Sequence, residues 1–284
     1  MKILSSRLTI LSDNTSASSW QVEHGFSVLI TLQGNEVEGN PSILFDVGRG
    51  ALLANVHNYG IDLSTVGTIV LSHGHYDHTD ALKEVIQSAS LAEVYASSLI
   101  LGQHYSMRGG SARYIGLSDA TRQVLSDLAS RFQLVSGVQS LFQDSLFLAD
   151  CIPRLCDFEN PSPLLFSDPD CTVPDSIPDE LILWFATSQG TVIVTGCCHA
   201  GLVNTCEYVR SRTANAPIHA ILGGFHLAGV GEVRLEKTAR YLNTLGLTHL
   251  IPCHCTGAAE TDILASLLPG KVIPGYAGLS LSLP

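Results

Sequence analysis

The chain has 284 residues and carries 15 Lys and Arg against 26 Asp and Glu, a formal net charge of −11 with histidine neutral. Hydrophobic residues make up 45% and charged residues 14%, which excludes a disordered or coiled-coil chain and allows a large buried core. The acidic balance, without a cluster of Lys and Arg, argues against nucleic acid as a partner. No apolar run reaches the length of about 18 residues that a transmembrane helix needs, so no membrane association is expected.

The N-terminal segment lacks the apolar core of a signal peptide, so we expect a cytoplasmic protein. The length of the whole chain and the lack of a low-complexity linker predict a single domain over residues 1–284. The expected partner is a small-molecule substrate, and the sequence leaves the oligomeric state open.

The first half of the chain predicts strands separated by Gly, Asn and Pro turns and followed by helices. The predicted strands are Lys2–Ile10, Phe26–Leu32, Ser42–Asp46, Val66–Leu71 and Val94–Ala96. Helices are predicted at Asp80–Ser88 and at Asp119–Leu128, the second with Ser118 as its N-cap. A Pro-rich loop or lid is expected at about residues 151–178, because six of the 12 prolines fall there.

The second half repeats this alternation of strands and helices. A hairpin is predicted from Leu181–Thr187 and Thr191–Thr195. Further strands are predicted at Ile218–Leu222, Thr248–Pro252 and Lys271–Ile273, and helices at Leu202–Arg210, Gly231–Leu245 and Ala258–Leu268, with Gly246 in the C′ position of the second helix. Strands followed by helices in both halves predict two packed sheets with helices outside.

The strongest chemical signal follows the predicted strand Val66–Leu71. It is a group of four residues within six positions: His73, His75, Asp77 and His78. Imidazole and carboxylate groups are ligands of Zn, Fe, Mn and similar divalent ions. Alternate residues of a turn can share one direction, so the pattern predicts a site for one or two metal ions.

This His-x-His-x-Asp-His pattern resembles the hallmark of the metallo-β-lactamase superfamily, and Ile43–Gly48 resembles the earlier strand of that superfamily with its Asp46. The resemblance implies an α/β (α+β) fold, a four-layer αββα sandwich with a one- or two-metal site at the edge between the sheets.

A narrower resemblance extends over nearly the whole chain. It is carried by residues 13–14, 23–27, 71–79, 152–154, 195–201, 223–227 and 252–257. These segments resemble the 7,8-dihydropterin-6-yl-methyl-4-(β-D-ribofuranosyl)aminobenzene 5′-phosphate synthase subfamily. The resemblance implies a metal-dependent enzyme acting on a phosphorylated or pterin-like substrate by group transfer with diphosphate release. Two alternatives stay open: a hydrolase of a phosphoester, thioester or related substrate, and a di-iron redox or sensor protein.

Two more histidines at predicted strand ends, His199 and His254, complete the expected ligand set. One metal position would use His73, His75 and His199, and the other Asp77, His78 and His254. Zn is the favoured ion, with Fe, Mn or Mg as alternatives. Many superfamily members carry a bridging Asp where this chain has Cys197; we interpret this residue as a buried spectator thiol, with a ligand role as the alternative.

Other polar residues receive weaker predictions. Asp77 and His226 are predicted to be catalytic, His226 as a proton donor or further ligand, and His24 and Arg154 to contact substrate. Arg108 and Arg113 are candidates either for binding a phosphate or for ordinary surface charge. The histidines at 57, 104, 219 and 249 are expected to be solvated or core residues. All eight cysteines are expected to be reduced, and those at 151, 156 and 171 to be buried core thiols rather than cluster ligands.

Overall fold

A computed structural model of the protein describes residues 3–34 and 41–284, so Lys2 of the first predicted strand lies outside the described residues. The larger of its sheets has seven strands within this part of the chain. They are β1 (Ser5–Ser12), β2 (Ser27–Gln33), β3 (Ser42–Phe45), β4 (Val66–Val70), β5 (Glu93–Ser97), β8 (Phe132–Val135) and β16 (Ser280–Leu283). Their spatial order is β16-β1-β2-β3-β4-β5-β8, antiparallel as far as β3 and parallel from β3 onward.

The second sheet has six strands among the described residues. They are β9 (Val138–Leu141), β10 (Leu146–Ala149), β12 (Ile182–Thr187), β13 (Gly190–Thr195), β14 (Ile218–Gly224) and β15 (His249–Cys253). The spatial order is β15-β14-β13-β12-β10-β9, and β13, β14 and β15 are parallel. A small third sheet consists of β6 (Tyr105–Ser106), β7 (Arg113–Tyr114) and β11 (Leu165–Phe166).

Seven α-helices occur within residues 3–34 and 41–284. They are α1 (Ala51–Asn58), α2 (Tyr76–Thr79), α3 (Leu82–Ser88), α4 (Asp119–Asp127), α5 (Leu202–Arg212), α6 (Glu232–Asn243) and α7 (Ala258–Leu267). In the described chain, none of these helices combines the length and the hydropathy needed to cross a membrane.

Three apolar clusters show how these elements are layered. Phe45 and Val70 of the first sheet pack with Leu183 and Val194 of the second, which places one cluster between the two sheets. The outer face of the first sheet packs against α1, α3 and α4, and the outer face of the second against α5, α6 and α7. Because each fully buried Leu, Val or Phe contributes about 1.5–3 kcal/mol, these clusters supply the main stabilisation of the fold. The predicted αββα arrangement is confirmed.

Several local predictions also hold. The predicted hairpin is the antiparallel pair β12 and β13. Ser118 Oγ accepts the Thr121 N–H at 3.2 Å and caps α4 as expected. Gly246 lies two residues after Thr244, the C-cap of α6, one position later than the predicted C′ position; its φ of +68° is a conformation that glycine adopts without strain.

The predicted strand Lys271–Ile273 is wrong. Within the described residues this segment forms only a bridge between Val272 and Leu250, and the last strand is β16, which pairs with β1. Gly275 N–H still donates to the Pro252 carbonyl at 2.8 Å, but Pro252 has no N–H to donate to this segment, so the ladder stops after one bridge. The predicted helix at Asp80–Ser88 begins later, at Leu82, because Asp80 ends the separate short helix α2.

The Pro-rich segment at 151–178 is irregular except for β11, whose pairing with β6 brings it beside the site described below. Its role as a lid stays a prediction, as does the assignment of residues 1–284 to one domain.

Candidate metal centre

The loop after β4 carries the His-x-His-x-Asp-His motif and is held from two sides. Asp46, directly after β3, accepts the Ser72 N–H and the Ser72 hydroxyl, both at 2.7 Å. On the other side, Asp179 accepts the Gly74 N–H at 2.7 Å. These buried, charge-assisted hydrogen bonds fix the backbone that places His73 and the following ligand candidates.

The ends of the parallel strands of the second sheet meet this loop. Gly196 follows β13 so closely that a Cβ on it would lie 2.1 Å from Ser72 Oγ, so no larger residue fits there. Cys197 and His199 come directly after it, and His226 and His254 follow β14 and β15. The parallel strands of both sheets therefore deliver their polar residues to one edge.

His73, His75 and His199 form the first group of imidazoles. His73 Nε2 lies 2.9 Å from His75 Nδ1, and the His199 ring centroid lies 4.9 Å from that of His73 and 5.1 Å from that of His75. Burial, and then the neighbouring imidazoles, hold the pKa of each of the three well below its usual value. They are therefore neutral near pH 7, the form in which histidine binds metals.

Asp77, His78 and His254 form the second group. Asp77 Oδ2 lies 3.2 Å from His254 Nε2 and 4.0 Å from His78 Nε2. Burial alone would raise the pKa of Asp77, but hydrogen bonds from His24 and His254 and the positive potential of the imidazoles lower it well below its usual value. Asp77 therefore supplies a permanent carboxylate to this group.

A second set of residues orients these histidines. His78 Nδ1 lies 2.6 Å from Asp46 Oδ2, His254 Nδ1 lies 2.9 Å from Asn14 Oδ1, and Asp13 accepts the His254 N–H at 2.9 Å. Such contacts at Nδ1 direct Nε2 toward the centre, which is how metal-binding histidines are usually held. The functional roles of Asp13 and Asn14 were not predicted, although both lie in the segments that carry the narrower resemblance.

The residues present fit one or two metal ions. Donor atoms of His73, Cys197 and His199 lie within 4.8 Å of one another, as do those of His78, Cys197 and His254 and those of His24, Asp77 and His254. The Nε2 atom of His199 is buried and has no hydrogen-bond partner in the described chain, an arrangement that a cation would satisfy. The structure thus brings all six predicted ligands together. Their coordination of metal stays a prediction.

A cavity of about 300 Å³ opens over the centre. Its lining includes the predicted site residues His24 and His226 together with Tyr76, Arg108 and Arg113. The His24 side chain is 53% exposed and its Nε2 lies 3.2 Å from Asp77 Oδ2. Neither ring nitrogen of His226 has a hydrogen-bond partner among the described residues, and the ring centroid lies 4.5 Å from that of His199. Both histidines therefore face the cavity, and the predicted roles of His226 in catalysis and of His24 in substrate binding stay predictions.

Arg154 occupies a different place from the one expected. Its guanidinium donates to the backbone carbonyls of His199 and Ser176 and lines a separate cavity with Glu180. Glu180 in turn accepts the backbone N–H groups of His199 and Ala200. Arg154 thus holds the His199 loop, and its predicted contact with substrate stays untested.

His104 is not the isolated histidine that the sequence indicated. Its Nδ1 lies 2.6 Å from Asp175 Oδ2 and its Nε2 3.4 Å from Asp179 Oδ2, with the His75 ring centroid 5.2 Å away. Burial would lower the pKa of His104, but the two carboxylates raise it to about 9. His104, Asp175 and Asp179 form an ion group. Because Asp179 also accepts the Gly74 N–H, this ion group supports the loop that carries His73 and His75.

The cysteine predictions hold only in part. All eight thiols are free, as expected. Cys151 is exposed and Cys156 and Cys171 are partly exposed, so the expectation of three buried core thiols is wrong. The reason is that the segment 151–178 runs over the surface and contributes few residues to the core.

Comparisons with known proteins agree with this fold. No protein-family model matches the chain. The uncharacterized protein MJ0448 of Methanocaldococcus jannaschii is 30% identical over 274 residues, 95% of this chain and 98% of the relative. The crystal structure of Tm1679, a metal-dependent hydrolase of the β-lactamase superfamily, superposes with a TM-score of 0.79 at 29% identity and covers 97% of this chain and 98% of that one. The chain belongs to the metallo-β-lactamase superfamily and has the fold of its metal-dependent hydrolases.

A more distant relative carries a defined reaction in its name. The 7,8-dihydropterin-6-methyl-4-(β-D-ribofuranosyl)-aminobenzene-5′-phosphate synthase of Methanocaldococcus jannaschii is 26% identical over 248 residues, 83% of this chain and 81% of the relative. A diphosphatase of the PhnP family superposes with a TM-score of 0.55 at 12% identity, covering 99% of this chain and 98% of that one, and shows the shared fold alone.

Proposed function

We propose that this protein is a metal-dependent hydrolase of a small substrate that carries a phosphate group. One observation carries the proposal: four of the six metal-ligand candidates line a cavity whose lining also includes Arg108 and Arg113. They are His75, Asp77, His199 and His254. A cavity of about 300 Å³ suits a small molecule.

The metal positions would be held by the three imidazoles of the first group and by Asp77, His78 and His254 of the second. Divalent ions bound there supply a hydroxide nucleophile near neutral pH and neutralise phosphate charge. Asp77 stays ionised in this environment and balances the charge of the centre. His226, whose ring nitrogens have no hydrogen-bond partner among the described residues, is placed to give a proton to the leaving oxygen, and His24 lies beside Asp77.

Arg108 and Arg113 indicate a substrate that carries a phosphate rather than a neutral one. Both are exposed, and neither guanidinium forms an ion pair with a carboxylate in the part of the chain that the structure describes. The Arg113 guanidinium lies 5.4 Å from the centroid of the Tyr76 ring, which holds it at the cavity. In a protein of net charge −11, two unpaired arginines beside a cavity create a local site for an anion.

The similarity to the M. jannaschii synthase favours a second candidate, group transfer. A dihydropterin methyl diphosphate would lose its diphosphate, which leaves with the electron pair of the C–O bond. The nitrogen of an arylamine would form the new C–N bond and release a proton. The same metal positions and arginines would serve this reaction, so the two candidates differ in the nucleophile that enters the cavity.

A substrate panel separates the candidates. The protein, loaded with Zn²⁺, Mn²⁺ or Fe²⁺, is incubated with phosphomonoesters, phosphodiesters, thioesters and organic diphosphates, with and without an arylamine. Hydrolysis predicts phosphate or alcohol release without the amine, and transfer predicts diphosphate release only with it. Turnover confined to thioesters, or no turnover by fully metal-loaded protein, would contradict the proposal.

The role of the arginines has its own test. Replacing Arg108 and Arg113 together by Ala should raise KM for a phosphorylated substrate by at least about 100-fold with a smaller change in kcat, since each charged hydrogen bond is worth about 1.5–3 kcal/mol and about 1.4 kcal/mol corresponds to tenfold. Arg240→Ala, an exposed arginine on α6, is the matched control and should leave KM unchanged.

A further inference from the structure

Cys197 lies between the two groups of ligand candidates. Its Sγ belongs to one set of donor atoms with His73 and His199 and to another with His78 and His254, each set within 4.8 Å. Sγ lies 3.2 Å from His78 Nε2, and the residue is only 3% exposed. No other residue of the described chain belongs to both of these sets.

The backbone fixes this position. Cys197 follows Gly196, which packs against Ser72 without room for a side chain. Thr195 Oγ1, one residue earlier, donates to the Gly224 carbonyl at 3.0 Å and ties the end of β13 to that of β14. The sulfur is therefore held at the junction of the two sheets by contacts on both sides of the strand end.

The two groups of ligand candidates differ in charge, and Cys197 can offset the difference. The first group consists of three imidazoles that are neutral when they bind a metal, whereas the second already has the Asp77 carboxylate. A divalent ion in the first group has no anionic protein donor unless Cys197 supplies one. A thiolate between the groups would serve both positions, as a bridging carboxylate would.

We propose that the Cys197 thiolate is a metal ligand shared by both positions. This inference rests on the proposed function, because it takes the two groups to be metal positions. It also predicts the class of metal: thiolate donors favour Zn²⁺ and Fe²⁺ over Mg²⁺ and Mn²⁺.

A second thiol, that of Cys255, lies close to Cys197, so the experiment must distinguish the two. Cys255 donates to the Cys197 carbonyl at 3.6 Å and accepts the His226 N–H at 3.3 Å, and its donor atom lies within 4.8 Å of those of Cys197 and His226. Cys198 offers a matched control. It is buried like Cys197 but contacts Thr205 and packs with the outer helices, away from the centre.

The test uses the full-length protein loaded with Co²⁺, whose charge-transfer absorption in the near ultraviolet reports a thiolate ligand, together with elemental analysis of cobalt per chain. The natural protein and the Cys198→Ser and Cys255→Ser variants should bind two Co²⁺ ions and show this absorption. Cys197→Ser should lose it and bind at least one ion about 10–100-fold more weakly. Cys197→Asp should lose the absorption yet keep two ions, because its carboxylate replaces the shared anion.

Each other outcome overturns the inference. Charge-transfer absorption that survives in Cys197→Ser or Cys197→Asp, or that disappears in Cys255→Ser, assigns the thiolate to another residue. If the natural protein binds two Co²⁺ ions but shows no such absorption, Cys197 is not a ligand, and the proposed function is not contradicted. A natural protein that binds no cobalt overturns the proposed function as well.

Discussion

Asp46→Asn tests how the centre is oriented without removing any ligand candidate. In the natural protein, Asp46 Oδ1 accepts the Ser72 N–H, and Oδ2 lies 2.6 Å from His78 Nδ1. A carboxylate at this distance favours a proton on His78 Nδ1, and the ring then directs Nε2 toward Cys197 and the centre. Asp46 has φ +58°, a conformation that Asn also tolerates, so the substitution should preserve the backbone.

The expected magnitude follows mainly from the contact with His78; the Ser72 hydroxyl, which donates to the same Asp46 oxygen, can turn and accept from the Asn NH₂ group instead. The Asn amide can keep the bond from Ser72 N–H, but its NH₂ group then faces His78 Nδ1 and donates to it. The His78 proton moves to Nε2, the atom needed for metal. Binding a metal at Nε2 would require the proton to return to Nδ1. The imidazole N–H and the Asn NH₂ group would then face each other as two donors, at a cost of about 1–3 kcal/mol. That cost corresponds to an affinity about 10–100-fold lower for the position that His78 serves.

Calorimetric titration of the metal-free protein with Zn²⁺ measures this effect. Asp150→Asn is the control, because Asp150 is equally buried and accepts from Ser97 Oγ and Gly137 N–H at 2.7 Å but contacts no ligand candidate. It should leave Zn²⁺ affinity unchanged. If Asp46→Asn binds Zn²⁺ as tightly as the natural protein, the contact with Asp46 does not orient His78.

Two further predictions concern stability. Since all eight cysteines are free, strong reductant should leave the melting temperature unchanged; a large fall on adding dithiothreitol would reveal a structural disulfide. The pKa of His104 is raised from 6.5 to about 9, so its stabilisation is fully present below about pH 6.5 and disappears as the pH rises through about 9. The difference in unfolding free energy between the natural protein and His104→Gln should therefore shrink by about 3 kcal/mol from about pH 6 to about pH 10 in urea titrations, and a constant difference would contradict the ion group.

The meeting of the ligand candidates could be predicted because it depends on local order along the chain. Each of His73, His199 and His254 follows an apolar run, and the ends of parallel strands share one edge of a sheet. Position at a strand end is a local property, so the apolar runs, together with the resemblance to the superfamily, indicated which histidines would lie close together.

The supporting contacts could not be predicted in this way because they join distant segments. His104 meets Asp175 across 71 positions, and Arg154 meets the His199 carbonyl across 45. No local pattern marks such pairs. An isolated polar residue in a sequence therefore carried little information about whether it would support the centre or lie at the surface.

Elemental analysis of the purified natural protein and of His73→Ala tests the central claim most directly, because it measures metal per chain without assuming a substrate. The natural protein should contain, or after dialysis against Zn²⁺ retain, two divalent ions per chain. His73→Ala, changed in a loop on a rigid scaffold, should keep its circular dichroism spectrum and lose at least one ion. A natural protein that retains no metal, or a His73→Ala variant with the full natural content, would contradict the assignment of these residues as a metal centre.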